Sequence, residues 1–258
     1  MSKQEKQKNS VVMIEPRIIP YVIPILNEYY KFLGDDWNYV FYCGKNTSTK
    51  WKNVIEYFKP PNIDFREVHV DNFTTPAQYS DFLKQKSVWE SLEGEFILTV
   101  QIDTWPMNFI TIDTFINLNQ SFIGGNMVKD CTEMIKESVN VKFPNGNGGL
   151  SLRKRLDMIK VIDAFPPKAT YFESMLSPCF EMYAEDMYFY IGCYRLGLPI
   201  GDDEISSTFA LHTVPKDKYF AIHNPSPHVM YLLYQTNPEL EQLNPHLKLS
   251  NAYRLNDL

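Results

Sequence analysis

Acidic residues stand at two places where a carboxylate could do chemistry. Asp103 directly follows the most apolar stretch of the chain, in the string ILTVQIDTW, and Glu185 and Asp186 open a helix-like run. A carboxylate at the end of a buried strand suits a divalent cation, and one in a crevice can act as a general base toward a hydroxyl. Structural alternatives exist for both, because Asp103 could cap a turn and acids in a first helical turn commonly serve the helix dipole.

The segment NGNGGLSLR, Asn145 to Arg153, places three of the 11 glycines of the chain within four positions. Glycine permits positive φ and lets the backbone approach a ligand closely. We predict that Ser151 caps a helix beginning there, and that backbone N–H groups beside Arg153 bind an anionic or hydroxyl-rich ligand. The segment is neither a GxGxxG fingerprint nor a P-loop, because the third glycine and the Walker lysine are missing. A tight loop without a ligand is the alternative.

Two histidines follow short apolar runs in the last third of the chain. His223, in YFAIHNP, could ligate a metal or bond a phosphate, although a structural histidine is common at such a place; His212, in FALHTV, is expected to be structural. The consecutive acids 202–204 are expected to form a solvated loop. Motifs of serine hydrolases and zinc enzymes, such as GxSxG, HExxH and paired cysteines, do not occur in the sequence.

Composition limits the classes of function. Of 258 residues, 44% are hydrophobic and 22% charged, which suffices for one substantial core. A net charge of −6 argues against a nucleic-acid partner, because such proteins concentrate Lys and Arg to neutralise phosphates. The sequence contains no transmembrane-length apolar window and no signal-peptide core, so we expect a soluble, cytoplasmic protein. Its four cysteines lack CxxC spacing and are expected to be reduced.

Strand-like and helix-like segments alternate through the first hundred residues. This alternation predicts an α/β fold with a mostly parallel central sheet flanked by helices, in which ligands bind outside the carboxyl ends of the strands. Strands are predicted at Val11–Glu15, Asn38–Cys43, Ile63–Val70 and Glu95–Ile102, with helices at Ile18–Leu33, Thr49–Phe58 and Pro76–Trp89. Later elements are predicted as helices at Ser151–Phe165 and Glu185–Leu196 and short strands at Thr208–His212 and Tyr219–His223.

One large domain accounts for this organisation. We expect a flexible N-terminus over residues 1–10, the α/β domain over residues 11–230, and a C-terminal tail over residues 231–258. The tail, together with the apolar string YLLY at Tyr231–Tyr234, is expected to pack on the domain or across an interface between subunits, and the oligomeric state is left open.

Six motifs in a fixed order resemble those of a glycosyltransferase-like family catalogued as a domain of unknown function. They are VVMIEPR, DWNYVFYC, ILTVQIDTW, NGGLSLR, AEDMY and FAIHNP, and they span about Val11 to Pro225. The family is similar in fold to the GT-A type nucleotide-diphospho-sugar transferases. This resemblance implies a single Rossmann-like domain, a UDP- or GDP-sugar donor, a divalent cation such as Mn²⁺ or Mg²⁺, and a glycan acceptor.

The resemblance also implies roles for the residues that bind the donor and the cation. Asp103 resembles the second acid of the metal-binding DxD, and His223 resembles the late histidine near the diphosphate. Gln101 stands in place of the first acid, which implies a weakly bound or dispensable cation. Glu15 and Arg17 match the turn after the first strand, where the nucleotide is expected.

Further roles concern the sugar pocket and the base. Glu185 and Asp186 resemble the acidic pair that supplies the base in similar inverting enzymes. The family pattern tends to carry an aromatic residue where this chain has Ser226, which leaves the C-terminal wall of the pocket undefined. The resemblance further assigns to the sugar pocket Gly148, Gly149, Ser151 and Arg153.

The function predicted from the sequence is glycosyl transfer by direct displacement. Asp186, or Glu185 in its place, deprotonates an acceptor hydroxyl that attacks the anomeric carbon as the diphosphate leaves. Inversion follows if the base lies opposite the leaving group, and retention is left open. A non-catalytic nucleotide-sugar or carbohydrate-binding module and a sugar nucleotidyltransferase are the alternatives. The prediction requires that Asp103, Asp186 and His223 converge at one edge of the sheet.

Overall fold

A six-stranded sheet forms the centre of the chain in the computed structural model, which describes residues 8–127, 146–171 and 179–236. The strands are β1 (Asn9–Ile14), β2 (Trp37–Gly44), β3 (Ile63–Val68), β4 (Phe96–Val100), β5 (Thr104–Pro106), β6 (Phe122–Gly125), β7 (Asn147–Lys154), β8 (Ala210–Leu211) and β9 (Ala221–His223). The main sheet has the order β3-β2-β1-β4-β7-β6, and β5, β9 and β8 form a second, small sheet.

Helices cover both faces of the main sheet. They are α1 (Val22–Leu33), α2 (Ser48–Lys52), α3 (Pro76–Leu83), α4 (Lys86–Ser91), α5 (Ile112–Asn117), α6 (Arg155–Ala164), α7 (Glu185–Arg195), α8 (Asp203–Phe209) and α9 (Pro227–Thr236). Side chains of β1 alternate between the faces, with Val11 and Met13 in the core beneath α1 and Val12 and Ile14 in the core beneath α7. Because both faces of the sheet are covered, the side chains on both sides of β1 and β2 are buried, and the two strands are apolar at most positions.

The sheet is mixed, so the prediction of a mostly parallel sheet holds only in part. Strands β3, β2, β1 and β4 are parallel neighbours, whereas β7 is antiparallel to both β4 and β6. The predicted helix starting at Ser151 is wrong over its first residues, since Ser151 lies within β7 and the helix begins at Arg155. Leu150 and Leu152 alternate with Ser151 and Arg153, and this strand period overrides the helical interpretation.

Other boundaries differ by smaller amounts. The helix predicted from Ile18 begins at Val22, and the segment predicted from Pro76 to Trp89 contains the two helices α3 and α4. Among the described cysteines, Cys43 and Cys193 are buried free thiols and Cys179 is half-buried. Cys131, Asn145, residues 1–7 of the predicted flexible N-terminus and the tail from residue 237 lie outside the described residues. No helix within the described ranges is long and apolar enough to span a membrane.

Candidate active site

The small sheet brings His223 to the carboxyl end of β4. Thr104 of β5 pairs with His223 of β9, and the backbone N–H of Asn224 donates a 3.0 Å hydrogen bond to the carbonyl of Asp103. His223 Nε2 therefore lies 3.6 Å from Asp103 Oδ1. His212 stacks on the His223 ring with centroids 5.3 Å apart, and its Nδ1 lies 2.8 Å from the His223 carbonyl, which agrees with the structural role predicted for it.

Gly149 separates this histidine from the rest of the crevice. A side chain at Gly149 would collide with His223 Nε2 and would approach Gln101 Oε1 to 2.7 Å. In real structures Cβ atoms essentially never come so close to other heavy atoms, so a side chain at Gly149 would require the His223 ring or the Gln101 amide to move. Glycine at this position leaves room for the protein's own imidazole and amide, and the predicted close approach to a ligand stays a prediction.

Gly148 has the same relation to the acidic pair at the start of α7. A Cβ at Gly148 would collide with Glu185 Oε1 and would lie 2.7 Å from the Cβ of Asp186. Positive φ occurs at Gly146, where it is 113°, and at neither Gly148 nor Gly149. The glycines of this segment are therefore needed for two different reasons, a turn at Gly146 and close packing at the next two.

Asp186 is held against the backbone of β7. Its Oδ2 accepts a 3.0 Å hydrogen bond from the Gly148 N–H, and its Oδ1 accepts one of 2.8 Å from the Met187 N–H. Burial, reinforced by the negative charge of Glu185, raises the pKa of Asp186 to about 6, although the two backbone hydrogen bonds oppose that rise. A half-buried carboxylate that titrates near neutral pH is suited to accept a proton from an attacking hydroxyl.

Glu185 lies beside Asp186 but in a different environment. Its Oε2 accepts a charge-assisted hydrogen bond of 2.5 Å from Arg153 Nη1, and both side chains are almost completely buried. Arg153 also donates from Nε to Ser151 Oγ at 2.8 Å, and Ser151 Oγ lies 2.5 Å from Thr99 Oγ1. Ser151, predicted as a helix cap, instead joins β4, β7 and α7 in a buried polar chain.

Glu15 and Arg17 form a separate pair at the carboxyl end of β1. Arg17 donates from Nε and Nη2 to the two carboxylate oxygens of Glu15, at 2.7 and 2.8 Å. Half of the Arg17 side chain is exposed, whereas Glu15 is buried. Because β1 and β4 are parallel neighbours, this pair lies at the same edge of the sheet as Asp103.

Tyr79 of α3 also belongs to this crevice, although the sequence analysis did not select it. Its hydroxyl interacts with the Gln101 side chain and lies in the electrostatic fields of Glu185, Arg153 and Asp103. Burial, with Glu185 adding to it, raises the Tyr79 pKa far above neutrality, so the phenol stays protonated. Tyr79 stands in no motif, and only the packing of α3 on the sheet brings it to this place.

The described side chains offer few donors for a metal ion. Within the described ranges, no group of three or more His, Cys, Asp and Glu side chains is arranged to hold one. Asp103 and His223 provide one carboxylate and one imidazole at adjacent positions. One carboxylate and one imidazole, with the other ligands from a diphosphate and water, suit Mn²⁺ better than Mg²⁺, because Mg²⁺ prefers oxygen ligands.

Four of the predicted residues lie around the Gly148–Gly149 backbone, at one edge of the main sheet. Asp103 and His223 lie on one side of the Gly148–Gly149 backbone, and Glu185 and Asp186 lie on the other. At this edge the parallel strands β1 and β4 have their carboxyl ends, and the antiparallel strand β7 has its amino end. The acids at 202–204 stand apart: Asp202 caps α8 and Glu204 pairs with Lys216.

Comparison with known proteins places this geometry in context. A family model described as "Protein of unknown function (DUF5672)" matches residues 62–229. No curated protein matches the chain. Among solved structures, S. aureus TarS 1-349 matches with a TM-score of 0.52 and 19% identity, covering 89% of this chain and 64% of that one.

A second match concerns the same TarS fragment in complex with UDP. Its TM-score is 0.50 and its identity 16%, covering 88% of this chain and 63% of that one. The chain therefore spans less than two thirds of the length of each of these two structures. These similarities show a glycosyltransferase-like α/β fold and leave the activity to the site itself.

Proposed function

The chain belongs to the DUF5672 family, and we propose that it is a glycosyltransferase that moves a sugar from a nucleoside-diphosphate sugar to an acceptor hydroxyl. One observation carries this proposal: the Asp186 carboxylate and the Asp103–His223 pair flank the same two glycines, Gly148 and Gly149. A base and a site for a diphosphate are the two groups that displacement at an anomeric carbon requires.

Asp186 is proposed as the general base. A group with a pKa of about 6 is ionised at neutral pH and still accepts a proton effectively, because the best catalytic pKa lies near the working pH. The base takes the proton of the acceptor hydroxyl while the oxygen bonds to the anomeric carbon and the bond to the diphosphate breaks. Such assistance contributes about 10²–10⁴-fold.

Asp103 and His223 are proposed to face the leaving diphosphate. Together they would hold a divalent cation, and that cation would supply charge neutralisation for the diphosphate. Independently of a cation, a His223 imidazole can donate a hydrogen bond to a phosphate oxygen. Gln101, which is neutral, keeps the negative charge of this wall lower than two acids would.

The donor is proposed to be a UDP-sugar, with the nucleotide at the carboxyl end of β1. The UDP complex of TarS 1-349, a protein of similar fold, favours uridine over guanosine. Glu15 and Arg17 lie at that end, and the half-exposed Arg17 guanidinium keeps part of its surface open to a ligand. We further propose a glycan as the acceptor and inversion as the stereochemical outcome.

A second candidate function is a nucleotide-sugar-binding module without catalysis. It is favoured by the neutral Gln101 beside Asp103, because two protein donors hold a cation less firmly than three. The acidic pair favours the enzyme instead, since a binding module has no need of a carboxylate with a raised pKa.

The test is release of UDP from a panel of UDP-sugars with Mn²⁺ or Mg²⁺, in the wild type and in Asp186→Asn. We expect slow release in the wild type, release reduced at least about 100-fold in the variant, and donor affinity unchanged by calorimetry. Asp113→Asn, on an exposed site of α5, is the matched control. Binding without release in the wild type would support the module, and pyrophosphate formed from UTP and a sugar phosphate would indicate a nucleotidyltransferase.

A further inference from the structure

The guanidinium of Arg153 is the most completely enclosed charge in the described part of the site. Arg153 is 0% exposed, and its guanidinium carbon lies 4.7 Å from the ring centroid of Phe122, 5.5 Å from that of Phe189 and 5.7 Å from that of Trp89. Its nitrogens donate to Ser151 Oγ, to Glu185 Oε2 and, at 3.5 Å, to the Gly148 carbonyl. A guanidinium so placed has no route to a ligand in the crevice.

We propose that Arg153 is a positioning residue that acts through Glu185: it fixes and neutralises that carboxylate, and so assigns the base to Asp186. This deepens the proposed function and rests on it. Arg153 therefore serves the site without touching the donor, unlike the sugar-pocket role that the sequence resemblance implies for it.

The first step of the argument is the cost of burial. An arginine removed from water is tolerated when a carboxylate and further hydrogen bonds replace its hydration. Here the carboxylate is Glu185, and the further hydrogen bond is to Ser151 Oγ. A cation–π contact with the Phe122 ring adds to these interactions. Because a buried ion pair of this kind can often be replaced by apolar residues without loss of stability, its presence beside a candidate base points to a role in the site.

The second step is the coupling of the two neighbouring acids. Two adjacent carboxylates oppose each other's ionisation, and a nearby cation relieves that opposition. The negative charge of Glu185 raises the pKa of Asp186, and the positive charge of Arg153 lowers it. With both present the two effects oppose each other, and burial remains the largest cause of the raised pKa.

Other charged or titratable groups face the pair from neighbouring helices. Tyr79 of α3 lies in the field of Glu185 but stays protonated, so it adds no charge near neutral pH. Lys84, which directly follows α3, interacts electrostatically with Glu185 while its Nζ donates to the carbonyls of Lys168 and Tyr183. Neither is altered in the variants proposed next, so the comparison isolates Arg153 and Glu185.

The experiment compares Glu185→Gln, Arg153→Met and the double variant by two measurements. One is the pH dependence of kcat for UDP release, and the other is the titration of the Asp186 carboxyl by ¹³C NMR. We expect the titration midpoint of Asp186 to move down by about one pH unit in Glu185→Gln and up by about one unit in Arg153→Met. In the double variant it should return close to the wild-type value. Arg153→Lys keeps the positive charge but loses the several guanidinium donors, so it should shift this midpoint less than Arg153→Met.

If Arg153 and Glu185 had only a structural role, their variants would lower activity or stability. Their effects on the titration midpoint of Asp186 would not be opposite in sign and would not cancel in the double variant. Equal midpoints in all folded variants, or shifts of the same sign, would overturn the proposal. If Arg153→Met does not fold, the double variant compared with Glu185→Gln still gives the sign of the effect of Arg153 on the Asp186 titration. The NMR titration needs no turnover, so an inactive wild type with the expected titrations would refute the proposed function and leave the coupling standing.

Discussion

The imidazole of His223 lies directly against the α-carbon of Gly149, so that any side chain at Gly149 would occupy the position of Nε2. We therefore predict that Gly149→Ala displaces His223 or the start of β7 and abolishes UDP release, with a loss of at least about 100-fold. Donor hydrolysis and the crystal structure of the variant would measure both effects.

A matched control for that substitution is Gly201→Ala. A Cβ at Gly201 meets aliphatic side-chain carbons of Ile205 and Ile123, at 3.3 and 3.5 Å, so it should fit after small movements. Release unchanged in Gly201→Ala and lost in Gly149→Ala would support a specific collision. Wild-type activity in Gly149→Ala would contradict the placement of His223 in the site.

Asp186 should make stability depend on pH in a defined direction. Its pKa in the folded protein, about 6, is higher than the value of about 3.9 for an exposed Asp. The folded state therefore favours the protonated form. The resulting contribution to the free energy of unfolding is fully present below about pH 4 and is lost as the pH rises through about 6. This loss of free energy of unfolding is at most on the order of 3 kcal/mol.

Asp186→Asn removes this titration, so the wild type should lose stability relative to the variant between about pH 4 and about pH 6. Urea unfolding at a series of pH values measures the difference, with Asp113→Asn as the exposed control whose difference from the wild type stays nearly constant. A difference that is flat for Asp186→Asn as well would show that this carboxylate is ordinary.

Tyr79→Phe tests the residue that only the tertiary structure brings to the crevice. The substitution removes one hydroxyl that faces Gln101 and lies near Glu185, and it keeps the ring that packs on Phe73. We expect a loss of about fivefold to tenfold in kcat/KM for the donor, which corresponds to one hydrogen bond. Tyr194→Phe, on the exposed side of α7, should leave kcat/KM for the donor unchanged. Equal effects of Tyr79→Phe and Tyr194→Phe would argue against a role for Tyr79.

Asp103→Asn tests the cation site. The change keeps the size of the side chain and removes its charge, so binding of a hard cation should weaken. We expect the Mn²⁺ concentration for half-maximal UDP release to rise at least about tenfold. Full release by the wild type in excess EDTA would refute the participation of a cation while leaving Asp186 unaffected.

The alternation of strands and helices through the first hundred residues followed from local pattern. Strands β1 to β4 are short apolar runs bounded by turns, and such runs appear in a sequence whether or not the fold is known. Asp103, Glu185 and Asp186 were selected for the same local reason, because each stands at the end or the beginning of a recognisable element. For these residues, chain position alone predicted a place at an edge of the fold.

The direction of β7 and the partners of its side chains were decided by tertiary structure. A glycine-rich strand can be interpreted as a loop, because the signal of its two leucines is weaker than that of its three glycines. The enclosure of Arg153, its pairing with Glu185 and the arrival of Tyr79 from α3 all join residues far apart in the chain. Sequence determined which groups could do chemistry; packing determined which of them keep their charge, because burial and neighbouring charges exist only after distant segments meet.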